Sequence, residues 1–566
     1  MPKPRHDAID RTAREKFGFE ALRPGQREAI GALLTGQDTL AVLASGAGKS
    51  AIYQIAALLL ERSTVVFSPL IALQQDQVES IDENLPGEAA PLNSRLGERS
   101  RRRTLRRLEA GEVEFLFLAP EQLAKAEVRD ELEVVAPSMI VVDEAHCISQ
   151  WGHDFRPDYL RIGPMIEQLG HPVTLALTAT AAPPVRHEIV ERLGMRDPCT
   201  FVRGFDRPNI RLAVELHYEA RDRDAALRAH VGELPKPGIV YVATHRDTEQ
   251  LANELAGDGV SAAAYHAGLG TARRQQVQDR FMADALDVVV ATTAFGMGVD
   301  KPNVRFVLHH GASESLDSYY QEIGRAGRDG APAKAILLYR PADFGTRRFL
   351  RGTGPLTTEE LEEIARALAH ARAPVEAGAL RERLHLSRAK LTAAVNRLQD
   401  AGEVETDADG RLRRPRGAPA VAKAVEAVMA AEEAREAFAE SRLAMVRAYA
   451  EHDGCRRQLL LSYFGEAAPD FCGRCDFCER LVASGRAPRG TRDQPSPAAG
   501  AANEDGLLSG LRVRHPAWGE GEVQRLEAEQ VVVLFDTVGY KTLARSIVSE
   551  RGLLVPVDRN PPADQV

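Results

Sequence analysis

The stretch Ala44-Ser45-Gly46-Ala47-Gly48-Lys49-Ser50 follows an apolar run that ends at Leu43 and precedes a helical pattern that begins at Ala51. An apolar strand, a glycine-containing loop and a helix form an arrangement that binds phosphate, because backbone N–H groups of the loop and of the helix N-terminus point into one concavity. In such a loop Lys49 reaches the β- and γ-phosphates of a nucleotide, and the Ser50 hydroxyl ligates Mg²⁺. Alone, the same residues could also be an ordinary helix start that Ser45 caps.

Two adjacent carboxylates decide between these interpretations. Asp143 and Glu144 follow the apolar run Met139-Ile140-Val141-Val142, which places them at the carboxyl end of a predicted buried strand. There Asp143 can hold the Mg²⁺ shell while Glu144 polarises an attacking water molecule. The loop and the acids together predict a nucleoside triphosphatase.

Length and composition set the broad class. A chain of 566 residues is too long for one hydrophobic core, and we expect roughly three to five domains. The net charge of -9 argues against a generally basic surface that binds nucleic acid. It leaves room for local basic grooves, because counterion release depends on the phosphates that are contacted. The apolar runs are too short to span a bilayer, so we expect a cytoplasmic protein without a membrane segment.

Two blocks of the chain alternate short apolar strands with amphipathic helices, a pattern that indicates an α/β fold with doubly wound, mostly parallel sheets. The first block contains predicted strands at residues 65–67, 115–118, 139–142 and 175–177. The second contains predicted strands at residues 239–242, 288–291 and 335–338, and it has no P-loop of its own. We predict two lobes, residues 1–212 and 213–350, with ligands at the carboxyl edges of the strands.

The second block carries two arginines at the end of a helical pattern, Arg325 and Arg328. Arginines three residues apart could be a solvated helix face. They could also be the charges that a neighbouring ATP site requires, because arginine stabilises the phosphoryl-transfer transition state. A block with a P-loop and acids, followed by a block with arginines, predicts one ATP site in a cleft between two lobes.

In their order these motifs resemble a RecQ-family DNA helicase of superfamily 2, over residues 15–345 and a later cysteine cluster, which implies two RecA-like lobes. Phe17-Gly18-Phe19 with Arg23-Pro24-Gly25-Gln26 is similar to the family's adenine-reading motif, so Phe19 would stack on the base and Gln26 would bond to its edge. Arg328 would be the arginine finger and Arg325 a second phosphate contact. The catalytic set is then Lys49, Asp143, Glu144 and Arg328, and the nucleotide contacts are Phe19, Arg23, Gln26, Gly46, Gly48, Lys49, Ser50, Asp143, His146, Gln321, Arg325 and Arg328.

The residues after Asp143-Glu144-Ala145-His146 resemble the family's aromatic-rich loop. Trp151, His153, Phe155 and Arg156 are planar groups on which unstacked bases can stack. A small satellite core is the alternative. The resemblance implies further DNA contacts at Asn93, Ser94, Thr244, His266 and Thr292.

Four of the six cysteines cluster near the end of the chain, at Cys455, Cys472, Cys475 and Cys478. Their spacing is typical of tetrahedral zinc, and disulfides are the alternative. The surrounding sequence resembles the RecQ zinc-binding subdomain. A structural zinc is expected there, because protein thiolates fill all four positions, and we predict a helical zinc-binding subdomain at residues 417–482.

Residues 351–416 depart from the commonest RecQ layout. Helical patterns at residues 359–371, 379–384 and 387–401, followed by two short apolar runs, predict a winged-helix-like insertion with Ser387 as a helix N-cap. Its predicted hairpin carries four arginines that can meet duplex phosphates, or that form a solvated linker: Arg411, Arg413, Arg414 and Arg416.

The last part of the chain contains two predicted segments. Residues 483–506 are rich in Ala, Pro, Gly, Arg and Ser, which indicates a flexible linker. Residues 507–566 predict a small β-barrel that resembles the Tudor-like C-terminal domain of UvrD-type helicases, and this suggests a contact with a protein or nucleic acid.

The resemblance implies an ATP-dependent DNA helicase with ATP, Mg²⁺ and structural Zn²⁺ as cofactors. It would move 3′ to 5′ on single-stranded DNA and unwind duplex DNA in repair or recombination. The expected partners are single-stranded and duplex DNA and a protein that binds the C-terminal barrel, and the expected state is a monomer. Two alternatives stay open: a translocase on duplex DNA that does not separate strands, and a DNA-binding scaffold with a vestigial ATPase.

Overall fold

The computed structural model describes residues 4–44, 47–69, 71–85, 87–92, 98–149, 155–296, 301–345, 356–371, 373–407, 411–464, 466, 469–486, 507, 511–526, 530–535 and 539–557. The chain divides into two compact units. One comprises residues 1–340, 445–511 and 523–532, and the other comprises residues 341–444, 512–522 and 533–566. Among the described residues, no helix has the length and apolar character needed to cross a membrane.

The first lobe is built around one parallel sheet. Its helices are α1 Pro4–Phe17, α2 Gln26–Leu34, α3 Lys49–Ala57, α4 Ile71–Asp82, α5 Glu98–Glu109, α6 Ala126–Val135, α7 Ile162–Gln168 and α8 Pro183–Leu193, and its strands are β1 Thr39–Leu43, β2 Thr64–Phe67, β3 Ala89–Leu92, β4 Phe115–Leu118, β5 Met139–Val142, β6 Val173–Thr178 and β7 Cys199–Arg203. The strand order is β3-β4-β2-β5-β6-β1-β7. Every residue of β1, β2, β4 and β5 is buried. This explains their unbroken apolar runs, since helices cover both faces of such a sheet.

The second lobe has its own parallel sheet. Its strands are β8 Ile210–Leu216, β9 Gly238–Tyr241, β10 Ala262–Tyr265, β11 Val288–Ala291, β12 Phe306–His310 and β13 Ala333–Tyr339, and its helices are α9 Ala220–Glu233, α10 His245–Gly257, α11 Thr271–Met282 and α12 Leu316–Ile323. The strand order is β10-β11-β9-β12-β13-β8. The predicted lobe boundary after residue 212 falls inside β8, which pairs with β13 from Ile210 to Leu216 and therefore belongs wholly to the second sheet.

The predicted strands of both lobes are confirmed, but five strands were not predicted from the sequence: β3, β7, β8, β10 and β12. Four of these, β3, β7, β8 and β10, lie at the outer edges of their sheets. Alanine dominates β3 and β10, and β7 and β8 mix polar with apolar residues, so none of the four has the continuous apolar character of a central strand.

The inserted segment follows the predicted order of elements. It contains helices α13 Thr358–Ala369, α14 Ala377–Arg383 and α15 Arg388–Asp400, and an antiparallel hairpin of β14 Glu405–Thr406 and β15 Leu412–Arg413. The side chain of Ser387 accepts a hydrogen bond from Lys390 N at 3.2 Å, which confirms the predicted N-cap of α15. Leu361, Leu391 and Leu412 belong to one buried cluster that joins these elements. Its assignment as a winged helix stays a prediction.

The remaining described elements are α16 Val421–Glu451, α17 Arg456–Tyr463, α18 Asp476–Ala483, β16 Arg512–His515, β17 Gly519–Leu526, β18 Gln530–Phe535, β19 Gly539–Ala544, α19 Arg545–Arg551 and β20 Val555–Pro556. Strand β16 pairs in antiparallel fashion with β17 and β20. Closure of these strands into a barrel stays a prediction. Most of the predicted linker, residues 487–506, lies outside the described residues.

Candidate active site

The phosphate-binding loop connects β1 to α3. Gly48 has a φ of 75°, a left-handed conformation that glycine adopts at little cost. Helix α3 begins at the next residue, Lys49, and Gly48 gives it no side-chain cap. The first backbone N–H groups of this helix therefore suit an anionic ligand. Ser45 and Gly46 lie outside the described residues, so the predicted contact of Gly46 stays a prediction.

The predicted adenine-reading residue Gln26 also holds this loop. Its amide Nε2 donates to Gly48 O at 2.7 Å and to Ala47 O at 3.2 Å, and its Oε1 accepts from Arg23 N at 2.8 Å. A Cβ on Gly48 would lie 2.8 Å from this Nε2. Gln26 thus links the turn that begins at Arg23 to the phosphate-binding loop by hydrogen bonds. Phe19, the predicted base-stacking residue, is 39% exposed.

The two predicted acids lie where β5 ends. Asp143 is buried, and its two carboxylate oxygens accept hydrogen bonds from Glu144 N at 2.9 Å and Gln77 Nε2 at 3.1 Å. Tyr159 donates its hydroxyl to the Asp143 carbonyl at 3.0 Å. Glu144 has a φ of 48°, a conformation that costs a non-glycine residue about 1–3 kcal/mol and that is frequent at functional sites. The structure thus fixes both carboxylates at the sheet edge.

Burial and the nearby Glu144 carboxylate raise the pKa of Asp143, while Lys49 acts in the opposite direction. Lys49 is thereby placed within electrostatic reach of the acids. A divalent cation beside two carboxylates would relieve their repulsion. The donor set of Asp143, Glu144 and the Ser50 hydroxyl consists of hard oxygens, which are the ligands Mg²⁺ prefers.

His146 links the acids to the end of β6. Its Nδ1 lies 2.9 Å from Thr178 Oγ1 and 3.3 Å from a Glu144 carboxylate oxygen, and its ring is 1% exposed. Thr178 in turn donates to Thr180 O at 3.0 Å. His146 therefore contacts groups of the protein, and its predicted contact with nucleotide stays a prediction.

A cavity of about 320 Å³ lies between the two lobes. From the first lobe it is lined by Arg23, Pro24, Leu43, Ala44, Ala47 and Arg203, and from the second sheet and the segment before it by Gly204, Arg207, Asn209, Gly327, Arg328 and Gly330. The predicted finger Arg328 thus shares a cavity with the phosphate-binding loop. Arg325 is buried near the Tyr241 hydroxyl. Burial raises the pKa of that hydroxyl to about 12, and the positive charge of Arg325 acts in the opposite direction. Gln321 is half-buried on α12.

The four clustered cysteines meet in space. Their Sγ atoms all lie within 4.8 Å of one another, and Cys472 Sγ is 3.9 Å from Cys478 Sγ. Tetrahedral zinc with Zn–S bonds of about 2.3 Å would place its sulfurs roughly 3.8 Å apart. All six cysteines are free thiols, so the disulfide alternative is not observed. The cluster therefore fits a zinc ion held by four thiolates.

Three segments of the chain match known families. Residues 23–188 match the DEAD/DEAH box helicase family, residues 224–330 match the helicase conserved C-terminal domain, and residues 420–479 match the RecQ zinc-binding family. A probable ATP-dependent DNA helicase RecS of Bacillus subtilis is 35% identical over 476 residues, which cover 83% of this chain and 92% of the relative. The chain belongs to the RecQ family of superfamily 2 DNA helicases.

An ATP-dependent DNA helicase RecQ of Pasteurella multocida is 44% identical over 328 residues, which cover 58% of this chain. The chain spans about half the length of this relative, 51%. The solved structure of the DUF1998 helicase MrfA bound to DNA has a TM-score of 0.51 and 16% identity, and the match covers 73% of this chain and 63% of that one. This likeness concerns the fold alone. The family membership and the cysteine geometry identify the cofactors of this RecQ-family chain as ATP and zinc.

Residues between the two sheets contribute to the cleft and were given no role from the sequence. Arg207 donates from Nη1 to Gly324 O at 3.1 Å, and from Nη2 to Ala326 O at 2.9 Å and Gly327 O at 3.0 Å. Asn209 Nδ2 donates to Gly327 O at 2.8 Å and Ala331 O at 3.0 Å. These two side chains hold the turn that carries Arg328. Phe205-Asp206-Arg207-Pro208-Asn209 lies in no regular element, so no helix or strand pattern in the sequence pointed to these two side chains.

The zinc-binding subdomain packs against the same inter-lobe segment, residues 204–209. The ring of Phe464 stacks on Phe205 with a centroid distance of 4.5 Å and an interplanar angle of 9°. Glu466 accepts a hydrogen bond from Phe205 N at 2.8 Å. Phe464 and Phe205 are both buried, so this contact forms part of a core.

Two arginines of the subdomain bind backbone carbonyls of that segment and of β8. Arg457 Nη2 donates to Arg207 O at 3.0 Å and to Ile210 O at 2.7 Å, and Arg474 Nη1 donates to Pro208 O at 3.1 Å. In addition, the backbone of Cys475 forms an isolated parallel β-bridge with Leu212 of the edge strand β8. The metal-binding cluster is therefore joined to the chain that connects the two lobes.

The predicted DNA contacts fall into two groups. Asn93, Ser94, Trp151 and His153 lie outside the described residues. Phe155 is half-buried, and Arg156 Nη1 donates to Pro69 O at 2.9 Å, so this arginine contacts the loop after β2. Their DNA contacts stay predictions.

In the second lobe the predicted DNA contacts already have protein partners. Thr244 caps α10 by accepting from Asp247 N at 3.1 Å, and Thr292 Oγ1 accepts from Ala294 N at 3.4 Å. His266 is 4% exposed and stacks on His245 with centroids 4.4 Å apart. These contacts position the loops, and a role in DNA binding stays a prediction.

The structure pairs three of the four arginines of the inserted hairpin with carboxylates. Arg411 lies 3.2 Å from Asp407, Arg413 lies 2.7 Å from Glu405, and Arg414 lies 2.7 Å from Glu403. Glu403 is fully buried, so Arg414 neutralises an interior charge. Arg414 was expected to be free to contact duplex phosphates, and that expectation is wrong, because its charge is already paired with Glu403.

Proposed function

We propose that this chain hydrolyses ATP to move 3′ to 5′ along single-stranded DNA and unwinds duplex DNA in repair or recombination. The observation that carries the proposal is the shared cavity, which Ala47 and Arg23 of the first lobe line together with Arg328 of the second. A nucleotide in this cavity would touch both lobes. Hydrolysis of the nucleotide would remove that link between the lobes. The two lobes would then bind the DNA strand tightly in turn as ATP is bound and hydrolysed.

The residues at the sheet edge can be given roles in hydrolysis. Lys49 and the N-terminus of α3 would bind the β- and γ-phosphates, and Ser50 and Asp143 would hold Mg²⁺, which neutralises phosphate charge when it is bound. Glu144 would take a proton from the attacking water. As that water oxygen bonds to the γ-phosphorus, the bond to the β–γ bridging oxygen breaks, and Arg328 stabilises the charge that develops.

Strand separation is proposed to depend on the inserted segment, through the end of α14 and the start of α15 instead of its hairpin. Arg383 and Arg388 are exposed, and the described residues provide neither with an ion-pair partner. Exposed guanidinium groups of this kind can bind duplex phosphates in a salt-dependent way. Converting both to glutamate should weaken duplex binding and unwinding while ATPase activity with single strands persists. Equal unwinding by this variant and the parent protein would refute this role.

The test of the function is unwinding of 3′-tailed, 5′-tailed, forked and blunt duplexes with ATP and Mg²⁺. Preference for 3′-tailed and forked substrates is expected, and Glu144→Gln should bind ATP but not unwind, because water activation is lost. Preference for a 5′ tail would refute the direction. Displacement of a third strand from blunt duplex DNA, without unwinding of any substrate, would instead identify a duplex translocase. Full activity in Glu144→Gln would contradict the assigned catalytic site.

A further inference from the structure

Arg203 is a cation in the inter-lobe cavity that the family motifs do not include. It is the last residue of β7, and its backbone lies opposite Leu43 in the register of β1 and β7. Leu43 directly precedes the phosphate-binding loop. Arg203 therefore lies at the carboxyl edge of the first sheet, beside the start of that loop.

The side chain of Arg203 runs toward the turn expected to read adenine. Its Cδ lies 3.6 Å from the position that a Cβ on Gly25 would occupy, and Gly25 precedes Gln26. The residue is exposed and lines the cavity. Within the described part of the chain, no protein group accepts a hydrogen bond from its guanidinium. An exposed arginine beside the loop, with no described protein partner for its guanidinium, is suited to bind a ligand anion.

The charges around the cavity favour such a ligand. Four arginines line its described wall, Arg23, Arg203, Arg207 and Arg328, and no carboxylate is among those lining residues. Like charges around one cavity repel one another, although their exposure to solvent weakens the repulsion. A polyphosphate in the cavity would relieve this repulsion.

We propose that Arg203 binds the ribose–α-phosphate end of the nucleotide, a contact that rests on the proposed ATP site. The positions of two residues favour a contact with the ribose–α-phosphate end of the nucleotide. Arg203 lies beside Gly25 on the base-reading side, while Lys49 begins α3 at the γ-phosphate side. Because the α-phosphate is present in ATP and ADP alike, Arg203 stabilises both equally. It acts in ground-state binding, whereas Arg328 acts in the transition state.

Calorimetric titration of the purified full chain with ADP, together with steady-state ATPase kinetics at saturating single-stranded DNA, tests this proposal. Arg203→Gln should raise the Kd for ADP and the KM for ATP by about tenfold each, the effect of losing one hydrogen bond to a charged group. The kcat should stay within twofold. Arg203→Lys should recover part of the affinity, since it keeps the charge. Arg103→Gln is the matched control, because Arg103 is an exposed arginine on α5 without a described partner, and nucleotide binding should not change.

The outcomes separate this proposal from the assignment of the ATP site. Lys49→Ala should abolish or strongly weaken ADP binding. If it does and Arg203→Gln binds ADP like the parent protein, the role of Arg203 is refuted and the ATP site stands. A loss of kcat without a change in ADP affinity would also overturn the proposal, since it would make Arg203 a transition-state residue. If neither Lys49→Ala nor Arg203→Gln affects ADP binding, the ATP site itself is wrong.

Discussion

Replacing Arg207 with lysine should slow ATP hydrolysis although the positive charge is kept. The half-buried guanidinium donates to three backbone carbonyls of the turn that carries Arg328, Gly324 O, Ala326 O and Gly327 O. A lysine ammonium is a compact point donor, and it cannot occupy the positions of both terminal nitrogens of the guanidinium fork. Arg207→Lys therefore loses about two hydrogen bonds.

The magnitude follows from those bonds. A hydrogen bond from a charged donor contributes about 1.5–3 kcal/mol, and partial exposure lets water replace some of the loss, so we expect about 2–4 kcal/mol. If this energy holds Arg328 in place for the transition state, kcat should fall by roughly 30-fold to 1,000-fold. ADP affinity should change by less than threefold, because the carbonyl contacts do not involve the nucleotide.

The assay is steady-state ATP hydrolysis with saturating single-stranded DNA, with thermal unfolding as a parallel measurement. Arg211→Lys is the control: Arg211 Nη2 donates to Glu479 at 2.6 Å, on partly exposed side chains away from the cavity, and kcat should not change. A kcat for Arg207→Lys within threefold of the parent protein would show that Asn209 holds the turn without help from Arg207, and the reasoning would be refuted.

Three further predictions concern the loop, the core and the metal. Gly48→Ala should weaken ADP binding roughly tenfold, because its φ is 75° and the new methyl would lie 2.8 Å from Gln26 Nε2; Gly31→Ala, in open space on α2, should bind ADP normally, and equal affinities would contradict the idea. Phe464→Ala should cost about 3–5 kcal/mol in urea unfolding, since the fully buried ring packs on the inter-lobe segment; a loss below about 1 kcal/mol would count against that packing. Cys475→Ser should lower bound zinc well below one per chain and yield poorly folded protein, and metal analysis that still finds one zinc would rule out its role as a ligand.

Patterns that are local in the chain were predicted well. The strand, glycine loop and helix around Lys49, the acids after β5 and the Ser387 cap each depend on residues that are near one another in sequence. The cysteine cluster was predicted for a related reason, because three of its four members lie within seven residues, from Cys472 to Cys478. Residue type and short spacing are enough to predict such features, because their main partners lie close by in the chain.

The tertiary structure decided features that depend on partners far away in sequence. Leu212 belongs to the second sheet because β8 pairs with β13, more than a hundred residues later. The residues of a strand show that it is apolar, but they do not show which other strand it pairs with. The boundary after residue 212 failed for this reason.

The same limit applies to the charged residues. The sequence marked the arginines of the inserted hairpin as cations, and the fold buried Glu403 beneath Arg414 and used it as a partner. It likewise turned Arg207 toward the carbonyls around Gly327 and left Arg203 facing the cavity. The sequence by itself determined the chemistry that the chain contains, because residue type and short spacing set it. Which charges are neutralised and which remain for a ligand is decided by long-range packing, because electrostatic energy depends on distance and burial in the folded state.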